Sequence, residues 1–324
     1  MSGTVGWGFL STANINDKLL AGAAESDRVD VIAVASRDAA RAEAYARERG
    51  VERAYGSYEG LLEDPDVEAV YISLPNSLHV EWSIRALEAG KHVLCEKPLS
   101  RRAEDVERAF DVAEQSGRLL MEAFMYRHNP QTARLEELVD GGAIGRLRLV
   151  RAAFSFPLAD AENVRLNPSL DGGGLMDVGC YCVSGTRLLG GEPEQVYGEQ
   201  VLGASGVDEL FTGTMHFAGD VLAQFDCGLV LPVRDELEAI GDEGSLFLDD
   251  PWHCQNPAIE LRRNDGVERI AVEPGNPYQL EMEDLGRAIR TGSTPLLGRD
   301  DAVAQARVIA ALRRSAASGQ HGAA

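Results

Sequence analysis

Short apolar runs alternate with amphipathic segments over the first 122 residues, and this alternation constrains the fold more than any other feature of the sequence. Residues 29–36 are almost all apolar, as expected for a parallel strand covered on both faces, and residues 38–49 have a helical composition. Further strand–helix pairs follow. Because repeated βα units build parallel sheets, we predict a doubly wound Rossmann domain over residues 1–122.

The pattern changes after Asn129-Pro130. From residue 195 to 272 the sequence pattern is mostly that of strands separated by Gly, Asp and Pro, and this pattern predicts an antiparallel sheet. Helices are expected over residues 131–140, 175–189, 278–290 and 302–316. The tail from residue 318 has little to bury and is expected to be frayed. The predicted fold class is therefore α/β, in which residues 123–324 form a second α/β domain with a large, mostly antiparallel open sheet.

The turn after the first strand is the expected site of a dinucleotide. A glycine fingerprint at this turn normally lets the backbone approach a pyrophosphate at a helix N-terminus. Here the fingerprint positions hold Ser11, Ala13 and Asn16, which are small or polar, while Gly6 and Gly8 lie earlier, inside the strand. The cofactor is expected to contact Ser11, Thr12, Ala13, Asn14 and Ile15.

The end of the second strand bears on the choice between NAD(H) and NADP(H). A chain that binds NAD(H) usually places an acid there for the ribose hydroxyls, whereas this strand ends in Ser36-Arg37-Asp38, with Arg41 one helical turn beyond. A serine and two arginines suit a 2′-phosphate, so NADP(H) is preferred. Asp38 keeps NAD(H) possible. Alternatively, Arg37 and Arg41 only balance nearby acids on a solvated helix.

Chemistry is expected where Glu96 and Lys97 run directly into Pro98. A proline pushes the preceding residue into an extended conformation, so Lys97 should project from a strand end. Strand ends face ligands in open α/β sheets. The sequence has only three lysines among 31 lysines and arginines, and lysine, unlike arginine, can pass a proton.

Another predicted strand closes at the same sheet edge, at Pro75-Asn76. Asn76 either binds the cofactor ribose or caps the following helix. The expected cofactor contacts along this edge are Leu74, Pro75, Asn76, His79, Glu96 and Lys97. His79 and His92 have no carboxylate or cysteine at the spacing of metal ligands, which favours structural roles, and we predict no metal site.

Charge and cysteine content exclude several classes of protein. The formal net charge of -21 argues against nucleic acids and anionic membranes as partners, because both favour clustered positive charge. No segment approaches about 20 consecutive apolar residues, and the N-terminus lacks a signal-peptide pattern, so a cytoplasmic location is expected. The five cysteines are nowhere spaced as Cys-x-x-Cys, which predicts reduced thiols rather than a disulfide framework or zinc knuckle.

Five spaced motifs carry a family resemblance over essentially the whole chain. They are GFLSTANI at 8–15, AYGSYE at 54–59, AGKHVLCEKP at 89–98, MEAFMYR at 121–127 and GGLMDVGCY at 173–181. Together they resemble the glucose-fructose oxidoreductase, inositol dehydrogenase and rhizopine-catabolism (Gfo/Idh/MocA) family, in the branch of dimeric dihydrodiol dehydrogenases and NADP-dependent D-xylose dehydrogenases. This resemblance implies an open sheet that forms a subunit interface, and thus a homodimer or homotetramer.

The resemblance also implies a reaction, namely hydride transfer between NADP(H) and a carbinol or carbonyl carbon of a sugar, cyclic polyol or dihydrodiol. The implied catalytic residues are Lys97, Asp177 and Tyr181. The implied substrate contacts are Lys97, Arg127, Phe154, Arg165, Asp177 and Tyr181. Other members place histidine four residues after the aspartate, where this chain has Tyr181, and a spacing of four puts both side chains on one helical face.

Two questions stay open at this stage. Free tyrosine and lysine titrate near ~10 and ~10.4, so each needs a neighbouring cation to act as a base at neutral pH, and Tyr181 and Lys97 would titrate as a coupled pair. Tyr181 as acid/base with Lys97 polarising the substrate oxygen is preferred over the reverse. The alternatives to a dehydrogenase are a sugar-sensing regulator that binds NADP without turnover, and a sugar–sugar oxidoreductase that keeps its cofactor bound.

Overall fold

The computed structural model describes residues 3–320 and 322–323. The chain divides into two compact units, each made of two separate stretches of sequence. The first unit holds the chain up to Met125 together with Asn276–Val303, and the second holds Tyr126–Gly275 together with the C-terminal residues from Ala304. Among the described residues, no helix combines the length and apolar character needed to cross a membrane.

A six-stranded parallel sheet forms the core of the first unit. Its strands are β1 (Val5–Leu10), β2 (Val29–Ala35), β3 (Arg53–Tyr55), β4 (Ala69–Ile72), β5 (His92–Glu96) and β6 (Leu120–Ala123). Their spatial order is β3-β2-β1-β4-β5-β6, so the order reverses between β1 and β4. Ligands of such sheets bind outside the carboxyl ends of the strands at this switch point. The predicted doubly wound sheet is confirmed.

Five helices connect these strands. They are α1 (Asn16–Ala24), α2 (Ala39–Arg49), α3 (Tyr58–Leu62), α4 (His79–Glu88) and α5 (Ala103–Ser116). The sequence explains the bounds of α2, because the Asp38 carboxylate accepts the Arg41 N–H at its start and Gly50 ends it in a left-handed conformation, with φ of 70°. The central strand β4 shows how these helices cover the sheet, because all four of its residues are buried.

A nine-stranded sheet forms the core of the second unit. Its strands are β7 (Leu147–Ser155), β8 (Pro193–Leu202), β9 (Asp208–Phe217), β10 (Val221–Gly228), β11 (Arg234–Gly241), β12 (Ser245–Leu248), β13 (Ala258–Arg263), β14 (Gly266–Ala271) and β15 (Gly322–Ala323). Their order is β14-β13-β12-β11-β7-β10-β9-β8-β15. Within the described part of the chain, β7 and β10 are parallel and the other neighbours are antiparallel. The predicted open, mostly antiparallel sheet is confirmed.

Two helices belong to the second unit before its strands β8 to β15 begin. They are α6 (Pro130–Asp140) and α7 (Cys180–Gly190), and α7 packs against β7, β10 and β11. The single helix expected from residue 175 in fact begins with a π-helical turn, Leu175–Gly179, that leads into α7. Such turns are rare and occur frequently at functional sites.

The last two helices, α8 (Pro277–Thr291) and α9 (Arg299–Ser318), correct the expected domain boundary. Helix α8 joins the first unit, because Gly22 of α1 lies so close to it that a Cβ there would be 2.7 Å from the Gln279 nitrogen. Arg290 of α8 also binds the Glu68 carboxylate at 2.5 Å. Residues 276–303 therefore belong with the Rossmann sheet rather than with the second domain.

The tail expected to be frayed contains a short strand. Gly322 and Ala323 form β15, which pairs with Val196 and Gln195 of β8 and so extends the nine-stranded sheet by one edge strand. Residues 321 and 324, which the same expectation covers, lie outside the described residues.

Candidate active site

The turn between β1 and α1 lies at the switch point of the first sheet, and its backbone is strained. Ser11 has a φ of 122°, in a region that glycine adopts readily and that strains a residue with a side chain. The first fingerprint position therefore uses the conformation of a glycine although it holds a serine. The Ser11 hydroxyl accepts the Ala13 N–H at 3.1 Å and lies 2.7 Å from the hydroxyl of Ser73.

A buried hydrogen-bond network takes the place of the missing glycines. Asn16 is fully buried, and its amide donates to the Ser11 carbonyl at 2.9 Å while its Oδ1 accepts the Ser73 hydroxyl at 2.7 Å. Ser73 follows β4 and was not predicted, because a lone serine after an apolar strand carries no sequence signal. The strained turn, the helix N-terminus and the position at the switch point fit a bound pyrophosphate.

At the end of β2, two polar side chains accept hydrogen bonds from backbone N–H groups, and two others are exposed cations. The Ser36 hydroxyl accepts the Asp38 N–H at 3.3 Å, and the Asp38 carboxylate accepts the Arg41 N–H at 3.2 Å. Both arginines, Arg37 and Arg41, have exposed side chains. Burial raises the pKa of the nearby Tyr58 hydroxyl, and the charges of the two arginines oppose this rise. The two arginine side chains thus concentrate positive charge at the end of β2, where a 2′-phosphate is predicted to bind.

The surroundings of His79 agree with the structural role that was favoured for it. It is 1% exposed, and its Nδ1 and Nε2 lie 2.9 Å and 2.8 Å from the carbonyl oxygens of Pro98 and Leu74. Burial lowers the pKa of its imidazole to about 4, whereas the two carbonyl contacts act in the opposite direction. The structure does not support direct contact between this side chain and a cofactor. Instead, His79 joins the two loops that carry Leu74 and Lys97.

Asn76 begins a 3₁₀ turn, Asn76–Leu78, ahead of α4. The N-cap position of α4 is held by Leu78, without a side-chain hydrogen bond. Contact with a cofactor stays a prediction for Asn76 and for its half-buried neighbour Pro75.

Lys97 directly follows β5, as predicted, and is half-buried. The carboxylate of Glu96 lies beside it and is held from two sides: Oε1 accepts the Tyr71 hydroxyl at 2.5 Å, and Oε2 accepts the Lys97 N–H at 3.3 Å. Burial, together with the charge of Glu96, raises the pKa of Tyr71 well above its usual value, so this hydroxyl remains a donor. Tyr71 thereby anchors the acid next to the predicted catalytic lysine.

In the second unit the structure brings Arg165 and Asp177 together. The Nε atom of Arg165 donates to Oδ2 of Asp177 at 2.6 Å. Asp177 lies in the π-helical turn and Tyr181 in the first turn of α7, so they are separated by about one helical turn. Arg127 lies elsewhere, in a 3₁₀ turn, where its charge opposes the burial that raises the pKa of Glu136. Its contact with a substrate stays a prediction.

Tyr181 lies in a cluster of aromatic side chains. Its ring centroid is 5.3 Å from that of Phe154, 5.8 Å from Tyr126 and 5.9 Å from Trp252. The Tyr126 hydroxyl donates to the Ser184 hydroxyl at 2.7 Å, and the Trp252 indole donates to the Ala153 carbonyl at 3.0 Å. Two predicted residues, Phe154 and Tyr181, thus meet. Tyr126 and Trp252 were not proposed as site residues, since their aromatic character alone indicates only a core position.

The predicted catalytic residues are divided between the units. Lys97 belongs to the first unit, with the turn at Ser11 and the arginines after β2, whereas Asp177 and Tyr181 belong to the second. Each unit by itself supplies part of the chemistry of a dehydrogenase: the first has a dinucleotide turn and a lysine, and the second has an acid, an arginine and a phenol.

Family models match both parts of the chain. Residues 3–124 match the oxidoreductase family GFO_IDH_MocA, described as an NAD-binding Rossmann fold. Residues 132–247 match the GFO/IDH/MocA C-terminal domain.

Individual relatives match the chain over most of its length. It is 40% identical over 318 residues to D-xylose 1-dehydrogenase (NADP(+)) 2 of Haloferax volcanii, a match that covers 97% of this chain and 98% of the relative. It is 33% identical over 298 residues to trans-1,2-dihydrobenzene-1,2-diol dehydrogenase of Danio rerio, covering 88% of each. Its structure resembles aldose-aldose oxidoreductase from Caulobacter crescentus complexed with glycerol, with a TM-score of 0.92, 28% identity, and coverage of 99% and 100%.

Proposed function

The chain belongs to the GFO/IDH/MocA oxidoreductase family, and from this membership we propose that it is an NADP(H)-dependent dehydrogenase or reductase. Its substrate is a sugar, cyclic polyol or dihydrodiol, which reacts at a carbinol or carbonyl carbon. The observation that carries the proposal is that Lys97, Asp177 and Tyr181 are all retained in a chain whose first sheet has the Rossmann strand order.

The first unit supplies the residues that would hold the cofactor. We propose that the turn from Ser11 to Ile15 binds the pyrophosphate, that Ser36, Arg37 and Arg41 bind the 2′-phosphate, and that residues 74–76 and 96–97 line the nicotinamide end. When bound, the nicotinamide accepts or donates the hydride.

The remaining chemistry is proton transfer at the substrate oxygen. In the proposed mechanism Tyr181 takes the hydroxyl proton during oxidation, while Lys97 donates a hydrogen bond to the same oxygen and stabilises its negative charge. Asp177, held by Arg165, orients the substrate. The reverse assignment of Tyr181 and Lys97 uses the same residues, because two coupled groups share their titration steps.

A substrate screen tests the proposal. Aldoses, cyclic polyols and dihydrodiols are each mixed with NADP⁺ and the purified protein, and reduced nicotinamide is followed by its absorbance. At least one class is expected to be oxidised. NADP(H) binding without turnover of any of them would instead favour the sensing regulator.

A second candidate function is favoured by the likeness to the aldose-aldose oxidoreductase. In that case one sugar is oxidised and a second reduced while the cofactor remains bound. The two functions differ in a simple observation: a purified protein that keeps its cofactor carries nicotinamide absorbance through extensive dialysis, whereas a dehydrogenase that exchanges NADP(H) does not.

The Arg37→Ala variant is expected to weaken NADP(H) binding and leave NAD(H) binding nearly unchanged. A charge-assisted contact to the 2′-phosphate is worth about 1.5–3 kcal/mol, or about tenfold or more in affinity. Dissociation constants for both cofactors, from the quenching of protein fluorescence, measure the effect. Arg47→Ala, which removes another exposed arginine, from the helix α2 that follows Arg37, is the matched control. Equal weakening of both cofactors would contradict the phosphate assignment.

We also propose that the chain forms a homodimer or homotetramer through the face of the nine-stranded sheet opposite α7. This face is lined mainly by polar and charged side chains, including Arg151, Thr212, Gln224 and the ion pair of Arg234 with Asp226. Light scattering at micromolar concentration is expected to give two or four times the chain mass of 34.9 kDa. A monomeric mass for the wild type contradicts the proposal.

A further inference from the structure

One buried carboxylate from β9 holds the glycine-rich turn that precedes Asp177. Asp208 is 3% exposed, and its Oδ2 accepts the Leu175 N–H at 2.6 Å. Its Oδ1 packs against Gly173, where a Cβ would lie only 2.2 Å away. Gly173 also has a φ of 120°, which an L side chain rarely adopts. Glycine is therefore required at position 173 by the backbone and by the acid.

The same turn connects two residues of the proposed substrate site. The Gly173 N–H donates to the Arg165 carbonyl at 2.8 Å, and its carbonyl accepts the Asp177 N–H at 3.0 Å. The Arg165 side chain also donates to the Asp177 carboxylate at 2.6 Å, so hydrogen bonds connect all three residues in a closed ring. Any movement of Gly173 is thus passed to both residues, and Asp208 is the group that packs against Gly173.

Asp208 also lies at the start of the continuous helical run formed by the π-helical turn and α7. A carboxylate at a helix N-terminus is stabilised by the helix dipole and by the N–H groups that it accepts. Burial raises the pKa of Asp208, whereas its hydrogen bond from Leu175 and the charge of Arg313 lower it. An alanine at this position would leave the Leu175 N–H buried without this acceptor.

We infer that Asp208 is a positioning residue, which fixes the turn at Gly173 and through it the placement of Arg165, Asp177 and Tyr181 for the reaction. The inference rests on the proposed function, because it assigns Asp208 to the same site. Asp208 acts through the turn and is not proposed to touch the substrate.

Asp208→Ala is expected to lower kcat about 10- to 100-fold at a temperature at which circular dichroism shows it folded, because misplacement of about 1 Å costs about that much. NADP(H) affinity should change less than threefold, since the cofactor residues belong to the first unit. The primary isotope effect on kcat with deuterated substrate should rise as hydride transfer becomes slower. Asp208→Asn, which keeps an acceptor oxygen, should lose less.

Two further variants complete the test. Asp242→Ala is the matched control. Asp242 lies in the turn after β11, and its carboxylate also accepts a backbone N–H, that of Arg146, at 2.9 Å. The kcat of this variant should stay within twofold of wild type. Gly173→Ala should lose kcat as Asp208→Ala does, since its methyl group would meet the carboxylate. The double variant Gly173→Ala/Asp208→Ala should lose less kcat than the product of the two single losses, because the clash between the methyl group and the carboxylate is absent.

The outcomes separate the inference from the proposed function. If Asp208→Ala and Gly173→Ala lose activity only in proportion to the folded fraction, while Lys97→Met and Tyr181→Phe lose kcat in the folded state, the positioning role is wrong and the function stands. If Asp208→Ala does not fold, the kcat and isotope effects of Asp208→Asn and Gly173→Ala decide. If all of these variants, Lys97→Met and Tyr181→Phe included, keep wild-type kcat, the positioning role and the proposed catalytic residues are both wrong. If the wild type itself turns over no substrate of the screen, the proposed function is wrong.

Discussion

Lys97→Met and Tyr181→Phe are each expected to lower kcat by about 10²- to 10⁴-fold while cofactor affinity stays within a few fold. Methionine keeps the length of the lysine side chain without its charge or donors, and phenylalanine keeps the ring in its aromatic cluster without the hydroxyl. Steady-state rates and cofactor dissociation constants, measured with the same preparations, separate the loss of chemistry from the loss of binding.

The double variant gives the sharper result. Two groups that act on the same proton form one catalytic unit, so their combined loss should be much smaller than the product of the single losses. Lys18→Met, which removes an exposed lysine from α1, is the control for the change in net charge. If either single variant retains near-normal kcat on every substrate of the wild type, that residue does not have the proposed catalytic role. If both do, the protein is an enzyme that uses a different acid/base, and the proposed roles of Lys97 and Tyr181 are wrong.

Glu281→Gln is expected to stabilise the protein, and to do so increasingly as the pH rises. Glu281 lies on α8 and is fully buried, and neither carboxylate oxygen has a hydrogen-bond partner among the described residues. Burial, with a further contribution from the charge of Glu96, raises its pKa well above the usual 4.5. The folded protein therefore keeps a proton that the unfolded chain releases above about pH 4.5.

The sign of the effect follows from this difference in proton binding. Because the folded state holds the extra proton, the free energy of unfolding of the wild type falls as the pH rises above the unfolded pKa, by up to about 1.4 kcal/mol per pH unit until the folded pKa is reached. Glutamine cannot ionise, so this loss is absent in the variant. Urea titrations between pH 5 and pH 8 measure the difference.

Glu283→Gln is the control, because Glu283 lies on the same helix, is only partly buried and accepts a hydrogen bond from Ser26 at 2.7 Å. The stability difference between this variant and the wild type should be nearly independent of pH. If Glu281→Gln shows the same flat difference, Glu281 is ionised in the folded state, and the burial argument fails.

Local patterns predicted the parts of the structure that depend on neighbouring residues. Apolar runs located the strands of the first sheet except the short β3, and Pro98 correctly placed Lys97 directly after β5. The four-residue spacing placed Asp177 and Tyr181 about one turn apart, although the π-helical geometry of that turn leaves no trace in hydrophobic periodicity. What these features share is that the deciding interactions lie within a few residues along the chain.

Contacts between distant residues account for most of what was missed. Ser73 binds Ser11 and Asn16, and Asp208 binds Leu175, across separations that periodicity does not encode. For His79 the sequence offered both a structural role and a cofactor contact, and the burial of the side chain favours the structural role. For the same reason, the sequence of α8 shows an amphipathic helix but not the sheet that it covers.

The return of α8 to the first unit has a consequence for how the protein is made. The Rossmann sheet is complete as a sequence once β6 has been synthesised, yet Gly22 packs closely against a helix, α8, that is synthesised only after β7 to β14. Until then one surface of the nascent unit has no cover, and the fragment ending at Met125 lacks part of its own core. The first unit can therefore complete its fold only after the strands β7 to β14 of the second unit have been translated.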